Sequence, residues 1–79
     1  MKLPRDLSGE ALAKALRKLG YTVNRQVGSH IRLTTLENGE HHLTIPNHSP
    51  IKIGTLNSIF REIESHFGLN RDELLHRLF

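Results

Sequence analysis

The stretch from Tyr21 to Pro46, YTVNRQVGSHIRLTTLENGEHHLTIP, decides the fold. It contains three runs in which core-type residues alternate with polar ones, the pattern of half-buried β-strands. The residues expected to face the core are Tyr21 and Val23, then Ile31, Leu33 and Thr35, then Leu43 and Ile45. Gly28-Ser29 and Asn38-Gly39 separate the runs and are typical of turns. The stretch therefore predicts a three-stranded antiparallel sheet.

The register of the second hairpin follows from the faces that must meet. A two-residue turn at Asn38-Gly39 would place Leu33 opposite Thr44 and mix core and solvent faces. A three-residue loop over 37–39, with Gly39 at positive φ, pairs Leu33 with Leu43. The same loop pairs Ile31 with Ile45, and we therefore expect it. The other face of the sheet is then polar and basic, with His30, Arg32, Thr34, His42 and Thr44.

Helical patterns flank the strands. Ser8 as N-cap and Gly20 as C-terminal stop bound a first helix whose buried stripe is Leu12, Leu16 and Leu19. Pro46 ends the third strand. A second helix is expected around 54–67, with Gly68 as its stop.

Asn70 and Glu73 have the spacing of a capping box, which predicts a short C-terminal helix over residues 70–79. The predicted order is α-β-β-β-α plus this extra helix. We expect an α+β fold like that of double-stranded-RNA-binding domains, with helices on one face of the sheet.

Composition limits the size and class of the protein. The chain has 79 residues, and we expect residues 1–79 to form a single domain. It has no cysteine, so disulfides and thiolate metal sites are excluded. No apolar run is long enough to cross a membrane and no signal-peptide pattern is present. We therefore expect a cytoplasmic protein without membrane contact.

Charge is distributed unevenly along the chain, whose formal net charge is +3. Residues 1–32 contain seven basic and two acidic side chains, a net +5, whereas the remainder contains four basic and six acidic ones, a net −2. Lys2 and Arg5 contribute to the basic part, as do Lys14, Arg17 and Lys18 of the first helix. A basic N-terminal half indicates an anionic partner, either nucleic acid or an acidic protein. An equally good explanation is that these residues form a basic helix face exposed to solvent.

The candidate for chemistry is Gly28-Ser29-His30. An antiparallel meander brings the start of the second strand close to the end of the third, so His30 is expected near His48. Lys52 and the N-terminus of the second helix follow, and both favour phosphate. An imidazole beside cations suits RNA cleavage, in which one group removes the ribose 2′-OH proton and another protonates the leaving 5′-oxygen. On spacing alone, an incidental surface histidine is the commoner explanation.

Other residues are further candidates for the site. His48 has three possible roles: the complementary acid or base, a phosphate ligand, or a loop histidine that caps the second helix. Arg25 and Arg32 flank the first hairpin and are candidate phosphate contacts. His41 and His42 are adjacent on a strand and point to opposite faces, so they do not chelate a metal together. We expect no metal site and no cofactor.

The ordered set of motifs resembles one known family, the HicA (YcfA-like) toxins. The residues that carry the resemblance are Ser8-Gly9-Glu10, Leu16, Gly20-Tyr21, Arg25, Gly28-Ser29-His30, Ile45-Pro46, His48, Gly54-Thr55-Leu56 and Ile59. The resemblance implies a small mRNA interferase of a type II toxin–antitoxin system, with the fold predicted above. It implies His30 as the catalytic histidine. In that interpretation we expect Gly28 to shape the turn, and Ser29 to lie near the phosphate and to orient either the phosphate or the imidazole.

The resemblance also implies the partners. They are single-stranded mRNA as substrate and a HicB-like antitoxin, with homo-oligomers expected only within the toxin–antitoxin complex. The segment 70–79 is longer than a minimal member of the family needs. The alternative function is a non-catalytic RNA-binding module with the same fold, which the lack of a lysine cluster at the second helix disfavours.

Overall fold

The structure is a computed structural model and describes residues 6–79. Lys2 and Arg5, counted above in the basic half, lie outside the described residues. The elements are helix α1 (Gly9–Leu16), strands β1 (Thr22–Val27), β2 (His30–Thr35) and β3 (His41–Pro46), and helices α2 (Ile53–Phe67) and α3 (Arg71–Leu78). The predicted α+β order with an extra C-terminal helix is confirmed.

Capping fixes where the helices begin and end. The Ser8 hydroxyl accepts a hydrogen bond from the Ala11 N–H at 3.1 Å, as predicted. Helix α1 passes into a 3₁₀ turn, Arg17–Leu19, before Gly20 ends it with a φ of 81°. The predicted capping box of Asn70 and Glu73 is present at the start of α3.

The sheet has the order β1-β2-β3 and is antiparallel throughout. Leu33 pairs with Leu43 and Ile31 with Ile45, which confirms the predicted register. The loop itself is longer than predicted, because the strands separate at Thr35 and His41. Residues 36–40 form the connection, with Gly39 at a φ of 97°.

Strand β1 departs from simple alternation. Val23 pairs with Leu33 and Arg25 pairs with Arg32, so Asn24 is an extra residue in a β-bulge. Val23 lies on the core face, opposite buried Leu33 and in a groove beside α1, but its side chain is 53% exposed. The reason is that β1 is an edge strand, and its residues are exposed along the whole length.

The core lies between the sheet and the helices. Helix α1 packs against β1 and β2, and α2 packs against β3, so both helices cover the same face. Each fully buried aliphatic side chain contributes about 1.5–3 kcal/mol. The buried residues are Leu12, Ala13, Leu16, Leu19, Tyr21, Ile31, Leu33, Leu43, Ile45, Ile51, Leu56, Ile59, Phe60, Ile63, Leu74, Leu75 and Leu78. The opposite face of the sheet carries the predicted polar side chains, and none of the helices within residues 6–79 covers it.

Helix α3 extends the core at the end remote from Gly28. Leu75 and Leu78 are buried, whereas Phe79 remains half exposed. The Lys18 ammonium donates to the Leu78 carbonyl at 3.0 Å and so stabilises the C-terminal end of α3. Within residues 6–79, no helix is long and apolar enough to cross a bilayer.

A histidine pair closes the end of the sheet near the second hairpin. The rings of His41 and His66 stack with centroids 4.5 Å apart. The hydroxyl of buried Tyr21 lies 2.7 Å from Nδ1 of His41, and Nε2 of His66 lies 2.9 Å from the Glu37 carbonyl. Burial, with a smaller effect of the charge on Glu62, raises the pKa of Tyr21 and so keeps its hydroxyl neutral beside His41. These contacts join β3 to α2.

Candidate active site

The turn between β1 and β2 places His30. Val27 pairs with His30, which leaves Gly28-Ser29 as a two-residue turn. Gly28 has a φ of 58°, a value that glycine adopts without strain, and a Cβ there would meet no atom within 4 Å. Backbone conformation rather than space therefore accounts for this glycine.

His30 begins the central strand and lies on the uncovered face of the sheet. It pairs with Val27 on one side and with Pro46 on the other. Two grooves meet at this residue. One is lined by Arg25, Val27, His30, Arg32 and Thr44, and the other by His30, Thr44, Pro46, His48, Lys52 and Thr55. His30 and Thr44 therefore form the ridge between them.

The structure brings His48 into the same groove as His30, as the topology predicted. The segment after β3 is held to the first hairpin by a hydrogen bond from the Asn47 N–H to the Ser29 carbonyl, 2.6 Å long. The contact that Ser29 makes with this segment is therefore through its backbone carbonyl. The imidazole of His48 is exposed, so it is accessible to a ligand in the groove.

Helix α1 supports the loop that carries His48. The Gly9 N–H donates to the His48 carbonyl at 2.9 Å, and the Ile51 N–H donates to the Leu7 carbonyl at 2.8 Å. A Cβ on Gly9 would overlap the carbonyl oxygen of Pro46 and lie 2.8 Å from Cα of Asn47. Glycine is therefore required for the close approach of α1 to this loop, which sequence reasoning did not anticipate.

The N-terminus of α2 lies at the same groove as His48. Lys52 is the N-cap residue and its side chain makes no capping hydrogen bond, and the first turn of α2 contains no acidic residue. Free N–H groups and the helix dipole at such an end favour an anion. Thr55 lines the groove from the same turn and was not among the predicted site residues.

Arg25 and Arg32 face the other groove together. The bulge at Asn24 shifts the register so that Arg25 lies directly opposite Arg32, on the face that carries His30. Strict alternation from Val23 would have turned Arg25 toward the helices. Within residues 6–79, neither guanidinium has a carboxylate partner in an ion pair.

Other predicted candidates lie elsewhere. Lys14 and Arg17 line a separate groove between α1 and β1, on the helix-covered side of the sheet. Lys18 is engaged with α3. In the described part of the chain, no three His, Asp or Glu side chains converge as metal ligands do. The groups near His30 are thus two arginines, a lysine, a second imidazole and a helix N-terminus.

Comparison with models of known protein families gives a match over most of the chain. The family model described as the HicA toxin of bacterial toxin–antitoxin systems matches residues 9–64. No curated protein and no solved structure matches the chain. The matched segment begins with α1, includes Gly28, His30 and His48, and ends before α3, so the extra helix lies outside it. Because this match covers more than half of the chain, the protein belongs to the HicA toxin family of bacterial toxin–antitoxin systems.

Proposed function

We propose that the protein is the toxin of a type II toxin–antitoxin system and acts as a metal-independent endoribonuclease on single-stranded mRNA. His30 is the principal acid or base, and His48 is its partner. The observation that carries the proposal is the position of His30 on the ridge between two grooves that contain arginine and lysine side chains and a helix N-terminus. Family membership supports the toxin role.

The reaction uses the ribose 2′-OH as nucleophile. One imidazole removes its proton, the oxygen attacks the adjacent phosphorus, and the bond from phosphorus to the 5′-oxygen breaks. The other imidazole protonates the leaving 5′-oxygen. The products are a 2′,3′-cyclic phosphate and a 5′-hydroxyl, so atoms and charge balance without a further reactant.

Cations stabilise the charge that develops on the phosphorane-like transition state. Arg25 and Arg32 provide positive charge from one groove. Lys52 and the N-terminus of α2 provide it from the other. Gly28 shapes the turn before His30, and the Ser29 carbonyl holds the segment that leads to His48 close to His30.

The protein partner is a HicB-like antitoxin, which family membership implies. It binds over the edge that carries His30 and blocks access to both grooves. Coexpression of a small acidic protein encoded beside the toxin is expected to restore growth. Growth arrest that persists when that protein is coexpressed would contradict the assignment of this partner.

The decisive experiment compares induced wild type with His30→Ala, using His76→Ala as the matched control. His76 is an exposed histidine on α3, away from the grooves. Wild type and His76→Ala are expected to arrest growth and to leave mRNA fragments with 5′-hydroxyl ends. The purified proteins are expected to cleave RNA in vitro in the presence of EDTA as well. Folded His30→Ala that still cleaves would reject the role of His30. Binding of RNA without cleavage by wild type would instead support the non-catalytic module.

A further inference from the structure

A third groove lies on the same open face of the sheet, next to the second hairpin. Its lining includes Asn24, Thr34, Leu36, Glu37, Glu40 and His42. Its volume of about 630 Å³ falls within the range of small-ligand sites, about 300–1,000 Å³. None of the roles assigned above uses these side chains.

Hydrogen bonds hold the His42 ring in one orientation. The Asn24 amide donates to the Thr34 hydroxyl at 2.5 Å, and that hydroxyl lies 2.8 Å from Nδ1 of His42, within hydrogen-bond distance. Nε2 of His42 donates to a carboxylate oxygen of Glu40 at 2.7 Å. Both ring nitrogens are occupied, whereas the side chain remains 44% exposed. What His42 presents to solvent is therefore a fixed aromatic surface.

The groove also contains an unexplained apolar side chain. Leu36 is 74% exposed, the highest value among the large apolar side chains of the described residues. It lies beside the carboxylates of Glu37 and Glu40, which only accept hydrogen bonds when ionised. An apolar contact, an aromatic surface and a rim of acceptors together fit a planar heterocycle that carries N–H donors.

The groove is in line with the proposed cleavage site. His30, Arg32 and Thr34 alternate along β2 on the open face, and Thr34 pairs with His42. Four residues of a strand span about 13 Å, a distance that an extended RNA strand covers in a few nucleotides. The two arginines lie between the ends of this row, so phosphates meet cations there while a base enters the acidic groove.

We infer that the groove of His42, Leu36, Glu37 and Glu40 is a base-binding subsite for mRNA a few nucleotides from the cleaved bond. It favours bases with an exocyclic amino group, because the rim offers acceptors, and it disfavours uracil. The base stacks on the His42 ring. This inference rests on the proposed function, since it requires RNA to cross the open face.

Binding of 2′-O-methyl oligonucleotides tests the subsite without cleavage, because these probes lack the nucleophilic hydroxyl. Wild type is expected to bind 2′-O-methyl oligo(A) or oligo(C) more tightly than oligo(U). Removing one base-stacking interaction costs about 1–3 kcal/mol, so His42→Ala should weaken oligo(A) or oligo(C) binding by about fivefold or more. His42→Phe, which retains an aromatic face, should retain most of the affinity.

Two further variants separate stacking from selection. Leu36→Ser should weaken binding to all three probes, because it removes the apolar surface. Glu40→Gln should reduce the preference over oligo(U), because an amide also donates. His76→Ala is the control and should bind as wild type.

Equal affinities of wild type and His42→Ala, or equal losses in His42→Phe and His42→Ala, would overturn the subsite. If wild type nevertheless cleaves RNA and His30→Ala does not, the proposed function stands and only the subsite fails. If wild type neither cleaves RNA nor binds the probes, the proposed function fails with it.

Discussion

Arg25 and Arg32 are direct cross-strand neighbours on the open face of the sheet. Like charges directly opposite each other destabilise an antiparallel pair. Neither is neutralised by a carboxylate in an ion pair within residues 6–79. The pair therefore carries an electrostatic cost in the free protein that a bound phosphate relieves.

Replacing either arginine should weaken RNA binding without destabilising the fold. For Arg25→Ala and Arg32→Ala, we expect the slope of log K against log salt to fall by about 0.7 for each phosphate that is no longer neutralised. The free energy of unfolding should stay unchanged or rise, because the repulsion between the two guanidinium groups is removed. The measurements are titrations of 2′-O-methyl RNA at several salt concentrations and urea unfolding.

Arg77→Ala is the matched control for these arginines, since Arg77 is exposed in the last turn of α3. It should leave the salt slope as in wild type. If the slopes of the Arg25 and Arg32 variants also equal that of wild type, the arginine pair does not bind phosphate.

His48→Ala should slow cleavage by about 10²–10⁴-fold if His48 is the proton-transfer partner of His30. The fold should be retained, because the Gly9 N–H bonds to the His48 carbonyl, which alanine also has. Single-turnover cleavage rates and affinities for 2′-O-methyl RNA distinguish the roles. A loss of rate alone supports proton transfer, and a loss of affinity supports a phosphate ligand. With both unchanged, His48 has no role in the reaction.

Gly9→Ala should destabilise the protein and impair cleavage together. The new methyl group overlaps the Pro46 carbonyl, and overpacking of this kind costs about 1–3 kcal/mol. The displacement falls on the segment that carries His48. Urea unfolding and cleavage assays measure the two effects.

Gly54→Ala is the control for Gly9→Ala. A Cβ there meets no atom within 4 Å and the residue is in the first turn of α2, so alanine should leave the free energy of unfolding unchanged or raise it slightly. If Gly9→Ala were as stable as Gly54→Ala, α1 would not approach the loop as closely as the structure has it.

Acidification should destabilise the protein through His41. Burial, and secondly the stacked His66, lower the pKa of His41, while Glu62 opposes this shift. The folded state therefore takes up a proton at lower pH than the unfolded chain, whose histidine pKa is about 6.5. The stability that neutral His41 contributes is fully present above the unfolded pKa. It is lost as the pH falls from the unfolded pKa to the lower pKa of the folded state.

Urea unfolding between about pH 5 and 8 measures this dependence. His41→Gln keeps an acceptor for the Tyr21 hydroxyl but does not titrate, so its stability should fall less on acidification than that of wild type. His76→Ala should behave as wild type. An equal fall in His41→Gln would show that other groups cause the acid sensitivity.

Much of the fold could be predicted because local signals agreed with each other. The alternation of Ile31 and Leu33 with polar residues fixed the face of β2, and matching that face to Leu43 gave the register. The N-cap residues Ser8 and Asn70 predicted where α1 and α3 begin. The proximity of His30 and His48 followed from the antiparallel order alone.

The remaining features depend on three-dimensional contacts that leave no periodic signal. No residue type marks Asn24 as a bulge, so the orientation of Arg25 could not be deduced from alternation. The need for glycine at position 9 comes from Pro46, which is distant in sequence. Thr55 enters the site only because the first turn of α2 faces the groove.

The bulge at Asn24 divides β1 into two segments that are out of phase. Because of it, Asn24 and Arg25 are consecutive in sequence yet share the open face, one beside Thr34 and the other beside His30. Deleting Asn24 would restore regular pairing and leave Arg25 opposite Arg32. Insertion or deletion of a residue at position 24 can therefore alter the groove near His42, while the pairing of Arg25 with Arg32 near His30 is kept.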